Sequence, residues 1–313
     1  MKAANKAIYC VTGGAGFIGS HLVRALLERG MKVRVLDNFS TGKRENLDGC
    51  GKAEVIEGDI RDLKKCVKAV KGAHYVFHQA ALPSVQRSVV NPVETHNVNA
   101  TGTLNMLIAS RDCRVRRFIY AGSSSAYGGI GKKPASEDMP PMPLSPYGAS
   151  KLMGEYYCRV FTGVFGLETV VLRYFNVFGP NQDPTTEYAA VIPKFLSLMR
   201  RGDRPPVYGD GKQTRDFTYV DNVVQGNLLA CRANGIGGEV FNIACGKMIS
   251  VNRLVEELNK LLRTKISPIH TSPRPGEVRH SCAAISKAKD LLGFRVTVDF
   301  REGLRRTGSY FNE

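Results

Sequence analysis

The chain has no tryptophan, no low-complexity tract and no apolar stretch long enough to span a membrane, so no membrane partner is expected. Its eight cysteines (Cys10, Cys50, Cys66, Cys113, Cys158, Cys231, Cys245, Cys282) are widely spread and form no CxxC. That argues against a zinc site or a disulfide scaffold and fits a reducing cytoplasm. The six histidines show no HExxH or other metal spacing, so no metal is expected; His21, His78 and His96 fall inside expected elements, as packed or hydrogen-bonded side chains. Lys2 and Lys6 precede an apolar run that faintly echoes a signal peptide, but the run meets a glycine-rich turn at once, and no targeting segment is expected. Acidic residues are few beside basic ones, 28 against 44, for a formal net charge of +16. Such an excess raises nucleic acid as a partner. The basic residues are scattered, however, with small clusters at Arg114/Arg116/Arg117, Arg200/Arg201/Arg204 and Arg305/Arg306 and no aromatic-interleaved stripe. The expectation is a solvated basic surface that helps attract an anionic small substrate, with no nucleic acid bound.

What is present is ordinary globular material, 43% hydrophobic and 23% charged over 313 residues, enough for one large α/β domain or two smaller ones. Residues 7–12 read as a continuous apolar strand, the pattern of a buried parallel strand. A glycine turn follows at Gly13, Gly14, Gly16 and Gly19, then an amphipathic run from Ser20 to Glu28 closed by Gly30, and a second strand, 32–36, ending in Asp37. This order of strand, glycine turn, helix, strand and acid predicts a dinucleotide-binding unit. Gly13, Gly16 and Gly19 let the backbone turn and approach a pyrophosphate, and the helix start at Phe17 and Ile18 presents free N–H groups to it. Asp37 can accept hydrogen bonds from the adenosine ribose hydroxyls, which favours NAD over NADP; Lys43 and Arg44, just beyond, pull the other way.

The alternation continues with strands at 54–58, 74–78, 117–120 and 169–174 and helices at 62–70, 92–110 and 147–165. Asp59 and Ile60 end the third strand, where an adenine edge could be read; Gln79, Ala80 and Ala81 follow the fourth, small enough for a cofactor to lie close; Asn99 lies within the long helix. Ser123, Ser124 and Ser125 sit at the carboxyl end of the fifth strand, where open α/β sheets bind ligands. On the helix from 147, Tyr147 and Lys151 share one face, about 40° apart. An ammonium beside a phenol favours the phenolate and lowers its pKa, making the tyrosine a usable base for a hydroxyl proton. After Asn176, loops rich in Gly, Pro and Asp surround helices near 190–200, 221–232 and 251–262, strands near 217–220 and 239–243, and a last short helix at 285–291. The expected architecture is α/β: a Rossmann doubly wound parallel sheet over 1–175, with a smaller substrate-binding α/β domain over 176–313 whose strand near 239–243 returns to the first.

Taken in order, these motifs resemble the extended short-chain dehydrogenase/reductases, specifically the nucleotide-sugar 4-epimerases. The likeness runs essentially end to end: the glycine turn, the Asp37-Asn38-Phe39-Ser40 turn, the run Asn97 to Gly102, the serine triplet, Tyr147 with Lys151, the run Arg173 to Pro180, Arg215-Asp216-Phe217 and Arg274-Pro275-Gly276-Glu277. The resemblance implies NAD as resident cofactor, contacted also by Asn38, Ser40, Gly42 and Tyr174. It implies Tyr147 as base and Lys151 as its tuner and ribose partner. Ser123, by its position before Tyr127-Gly128, holds the sugar 4-oxygen, with Ser124 as second candidate. Dehydratases of related sugars carry Thr-Asp-Glu at the triplet; the absence of a carboxylate here leaves chemistry at C4. The implied reaction takes a proton and a hydride from C4, lets the 4-keto sugar swing about its glycosyl–phosphate linkage, and returns the hydride to the other face. Asn176, Arg215 and Arg274 are implied to grip the diphosphate, although each arginine could instead sit in an ion pair. Tyr188, Ala189, Ala190 and Val191 would pack on uracil, and Ser84, Arg87, Ser125, Tyr208, Asn242 and Glu277 would line the substrate. A small residue at Ser281 would admit an N-acetyl group at C2.

The expected activity is thus epimerisation of UDP-GlcNAc/UDP-GalNAc, with UDP-Glc/UDP-Gal beside it, by a homodimer joined through helices near 92–110 and 147–165. A UDP-glucuronate 4-epimerase or decarboxylase on the same scaffold is the alternative, and a non-catalytic NAD-binding protein is the alternative of another class.

Overall fold

The structure, a computed structural model, describes residues 7–129, 131, 133–184, 190–272 and 278–311. Tyr188, Ala189, Arg274 and Glu277, given roles above, lie outside the described residues. Strand and helix alternate along the first half: β1 (Ile8–Thr12), α1 (Phe17–Glu28), β2 (Lys32–Asp37), β3 (Glu54–Glu57), α2 (Leu63–Val70) and β4 (Ala73–His78). Three short helices, α3 (Val85–Val90), α4 (Pro92–His96) and α5 (Gly102–Asp112), lead to β5 (Arg117–Ser123), and α6 (Pro146–Phe165) leads to β6 (Glu168–Tyr174). The single long helix expected over 92–110 is interrupted by a π-turn at Asn97–Thr101. There the Thr103 hydroxyl donates to the Asn99 carbonyl, a bond the local pattern of apolar residues does not signal.

Beyond β6 come β7 (Val177–Phe178), α7 (Val191–Arg200), β8 (Pro206–Tyr208), β9 (Thr214–Arg215), β10 (Thr218–Tyr219), α8 (Val220–Arg232) and β11 (Val240–Ile243). The remainder holds β12 (Ile249–Ser250), α9 (Val251–Leu262), β13 (Ile269–Thr271), α10 (Ser286–Leu292) and α11 (Phe300–Tyr310). α11 corrects the reading of 285–291 as the last helix. Asp299 caps it and its buried positions Gly303, Leu304, Thr307 and Gly308 recur at helical spacing, but small and polar residues among them hide the apolar stripe.

The large sheet has the order β11-β6-β5-β4-β1-β2-β3, with every pairing parallel. Neighbouring residues on a strand enter different cores: Cys10, Val76, Phe118 and Val171 face one, Val11, Phe77, Ile119 and Leu172 the other. Helices therefore cover both faces, which is why these strands read as unbroken apolar runs. α8 packs on the same face as α1, so the chain returns to this layer with α8 as well as β11. A separate core of Phe178, Ile192, Phe195, Leu196, Phe217, Tyr219, Leu254 and Leu258 unites α7, α9 and the short strands. The result is a Rossmann-type doubly wound sheet. Its order reverses between β1 and β4, placing a crevice at the carboxyl ends of those strands.

Candidate active site

The glycine turn at that crevice is shaped by close approach. Gly13 has φ +66°, and a Cβ there would lie 2.7 Å from the Ala80 backbone nitrogen; one at Gly19 would lie 2.0 Å from the Gly13 carbonyl oxygen. Side chains larger than hydrogen would push β4 and α1 away from the turn. No side chain caps α1 and no acidic residue sits in its first turn, so its leading N–H groups remain for an anion. Asp37 is buried; its carboxylate accepts from the N–H of Ala15 and of Phe39, each at 2.8 Å. It thereby ties β2 to the turn, and burial raises its pKa against the pull of those N–H groups. Asn38 donates to Asp59 at 2.8 Å, and Arg61 grips the same carboxylate, holding Asp59 down at about 2. Ser40 is exposed beside them, with its N–H on Asn38 Oδ1, and Ile60 is buried below. Lys43 pairs with Asp183 at 2.7 Å, and Arg44 pairs with Glu57 and lies 4.0 Å over the Phe39 ring. Both cations that weighed against an acceptor for NAD are thus partnered.

Tyr147 and Lys151 stand on α6, whose start is fixed by Ser145, which accepts from the Gly148 N–H at 3.1 Å, and by Pro146 in the first turn. The Tyr147 phenol lies near the Ser123 hydroxyl at the end of β5, close enough for that hydroxyl to pull its pKa down. The expectation that Lys151 lowers the phenol's pKa is corrected among the protein's own groups. Burial raises the Tyr147 pKa, and the opposing pull comes from Ser123. Lys151 is itself buried, its Nζ 4.6 Å from the centre of the Tyr120 ring, and desolvation pushes its pKa down to about 7. Spacing put the two groups on one face; it did not show that the ammonium turns toward a neighbouring aromatic ring. Ser123 Oγ also accepts the Ser125 N–H at 3.1 Å, stiffening the triplet.

Ser124 and Ser125 open onto a cavity of about 870 Å³ between the sheet and the second core. Of the expected substrate residues, Ser84, Asn176, Ala190, Val191, Tyr208, Arg215 and Ser281 line it. Asn176 adopts φ +34° and donates to the Asp216 carbonyl at 3.3 Å. Asp216 is fully buried and its carboxylate takes the N–H groups of Cys245, Gly246 and Ala283, which fixes the base of β9 under Arg215. Burial pushes Asp216 up to about 6 against those bonds. Lys194, Gln86 and His280 also line the cavity and were not singled out from sequence. Lys194 lies one helical turn beyond Val191, a signal that spacing along α7 carries.

Four of the expected contact residues are engaged by the protein's own groups. Asn242 is fully buried: its Oδ1 accepts from the Tyr127 hydroxyl at 2.7 Å and its Nδ2 donates to the carbonyls of Ala135 and Ala284. Asn99 is spent on Leu82 and Ser150, pinning the π-turn to α6. Arg87 pairs with Glu94 at 3.0 Å and does not line the cavity. The Tyr174 hydroxyl is shared with Gln79 and Asn227 below the sheet edge. In each case tertiary packing sets the direction of the side chain. Gln79, Ala80 and Ala81 are half-buried along the end of β4, and Gly42 is buried against Ala15.

The sequence profile of the NAD dependent epimerase/dehydratase family matches residues 9–244. The UDP-glucose 4-epimerase of Mycolicibacterium smegmatis is 36% identical over 307 residues, 96% of this chain and 97% of its own. Among solved structures, the UDP-glucose 4-epimerase of Thermotoga maritima with UDP-glucose has a TM-score of 0.93 at 40% identity, covering 97% of this chain and 98% of that one. The UDP-N-acetylglucosamine 4-epimerase of Methanobrevibacter ruminantium M1, in complex with UDP-N-acetylmuramic acid, has a TM-score of 0.94 at 40% identity and covers 98% of each.

Proposed function

The chain belongs to the NAD dependent epimerase/dehydratase family, and from that premise we propose that it interconverts UDP-N-acetylglucosamine and UDP-N-acetylgalactosamine, with UDP-glucose and UDP-galactose as further substrates. The enzyme is an NAD-dependent isomerase of UDP-sugars at C4. The single observation that carries the chemistry is the placement of Tyr147 near Ser123, next to Ser124 and Ser125 on the wall of a cavity of about 870 Å³.

The cradle fits the cofactor. The uncapped start of α1 suits a pyrophosphate, the glycines leave room for its close approach, and Asp37 suits a ribose diol. When bound, NAD would supply a reversible hydride acceptor for C4. Tyr147 takes the proton of the 4-hydroxyl and later returns one, with Ser123 holding both oxygens in line. Lys151, when protonated, offsets the phenolate charge from the next turn of the same helix. Arg215 and Lys194, on β9 and α7, place positive charge at the nucleotide end of the cavity. Around the serines the described lining residues Pro83, Ser84, Val85, Gln86, Tyr127 and Ser145 carry no charge, which favours a neutral hexose over a uronate. Ser281 keeps the cavity wall small, which favours an N-acetyl group at C2. We assign residues 1–175 to cofactor binding and 176–313 to the nucleotide sugar, with α8 and β11 completing the first part.

Incubating the enzyme separately with UDP-GlcNAc, UDP-Glc and UDP-GlcA and following products by NMR tests this reading. Epimers of the first two are expected, and turnover of UDP-GlcA alone would overturn it. Ser281→Tyr is expected to lower the ratio of acetylated to plain-sugar turnover by roughly tenfold.

A further inference from the structure

Three segments that are distant in sequence meet around the start of α1: the glycine turn, the loop after β2, and the loop after β7. The loop after β2 is pressed onto the turn. A Cβ at Gly42 would lie 2.8 Å from the Ala15 carbonyl carbon, and the Lys43 N–H and Asn46 Nδ2 both donate to the Ala15 carbonyl, at 3.0 and 2.8 Å. The loop after β7 reaches α1 at its first turns. His21 Nε2 lies 3.0 Å from the Pro180 carbonyl oxygen, and Asn181, at φ +65°, donates from Nδ2 to the Ser20 hydroxyl at 3.1 Å. Two residues on, Asp183 meets Lys43 at 2.7 Å and closes the ring. Loops from both parts of the chain therefore reach the glycine turn and the first turns of α1, and the ion pair is where the two arms join.

We propose that Lys43 and Asp183 form a clasp that retains the dinucleotide, which leaves only after this pair opens. The proposal rests on NAD as the resident cofactor. Retention has a chemical purpose in an epimerase: loss of the cofactor between the two hydride transfers would strand the oxidised sugar. The pair is half in solvent, with side-chain exposures of 55% for Lys43 and 24% for Asp183, so it is worth little to folding and is weakened by salt. Those are the properties of a gate that opens on demand. Lys43 and Asp183 are thus positioning residues for the cofactor, acting through the two loops.

The test follows release of labelled NAD from the holoenzyme into an excess of unlabelled NAD, at low and high salt. Wild type is compared with Asp183→Asn, Lys43→Gln, the double variant and the exchanged pair Lys43→Asp with Asp183→Lys. Each single substitution is expected to speed release by about twofold to fivefold, the size of a part-exposed ion pair. The double variant should be no faster than either single, and the exchanged pair should recover most of the wild-type rate. Wild-type release should quicken with salt, and that of the singles should not. Equal release from all proteins, or effects that multiply in the double variant, overturns the clasp. Should a variant melt before loading, the salt dependence of wild-type release decides, and a flat response overturns the proposal. Failure of wild type to bind any NAD, read by chromatography of the denatured protein, overturns the cofactor reading instead.

Discussion

A phenol that has to accept a proton near neutral pH is half-buried here, and desolvation alone pushes it the wrong way. Ser123 supplies the opposing pull within the chain, so Ser123→Ala should raise the Tyr147 pKa further. Because the ionised phenol is the active form, the limb of kcat/KM that rises with pH should move to higher pH in that variant; an unmoved limb would contradict the assignment. Lys151 gives a second pH signature. Its pKa falls from an ordinary 10.5 to about 7, so the folded chain binds fewer protons than the unfolded chain between those values. Stability from this group therefore rises with pH across that window, and the penalty of the buried ammonium is complete below 7. Lys151→Met removes the penalty, so in denaturant titrations of NAD-stripped protein its stability advantage should be largest below pH 7 and shrink toward pH 10. The spacing of Tyr147 and Lys151 made this pair legible in sequence. Asn242 was not legible in the same way, because nothing local tells which face of β11 meets Tyr127.

Elements hold these residues in place, and the start of α6 is the sensitive point. Ser145 satisfies the Gly148 N–H and stands two residues before Tyr147. Ser145→Ala should cost about 1 kcal/mol of stability by denaturant titration, and a variant as stable as wild type would show the cap to be idle. Most elements of the large sheet could be read because parallel strands buried on both faces are continuous apolar runs. The π-turn at Asn97–Thr101 could not, since it depends on Asn99 reaching Leu82 and Ser150 across the fold. α11 and the two- or three-residue strands around the cavity, apart from the one expected near 217–220, escaped for a related reason. Their partners lie far along the chain, as Ile269 pairs with Pro206 and Ile249 with Arg215.

At the scale of the whole molecule, α6 leaves Met153, Tyr156, Val160 and Val164 exposed at helical spacing, beside Val89, Val90 and Val93. We propose that this exposed apolar stripe meets a second copy of the chain. Val160→Lys is expected to yield monomers by analytical ultracentrifugation, and an unchanged mass would place any interface elsewhere. No described helix is long and apolar enough to cross a membrane. The net charge of +16, ambiguous in sequence, gains a local meaning where Lys194 and Arg215 line the cavity. The central claim is that one hydride leaves C4 and returns to the same carbon while Tyr147 moves the proton. Turnover of UDP-GlcNAc deuterated at C4, followed by NMR in ordinary water, tests it most directly. Full retention of the deuterium at C4 of the UDP-GalNAc product is the predicted result; its replacement by solvent hydrogen, or no epimer at all, would contradict it.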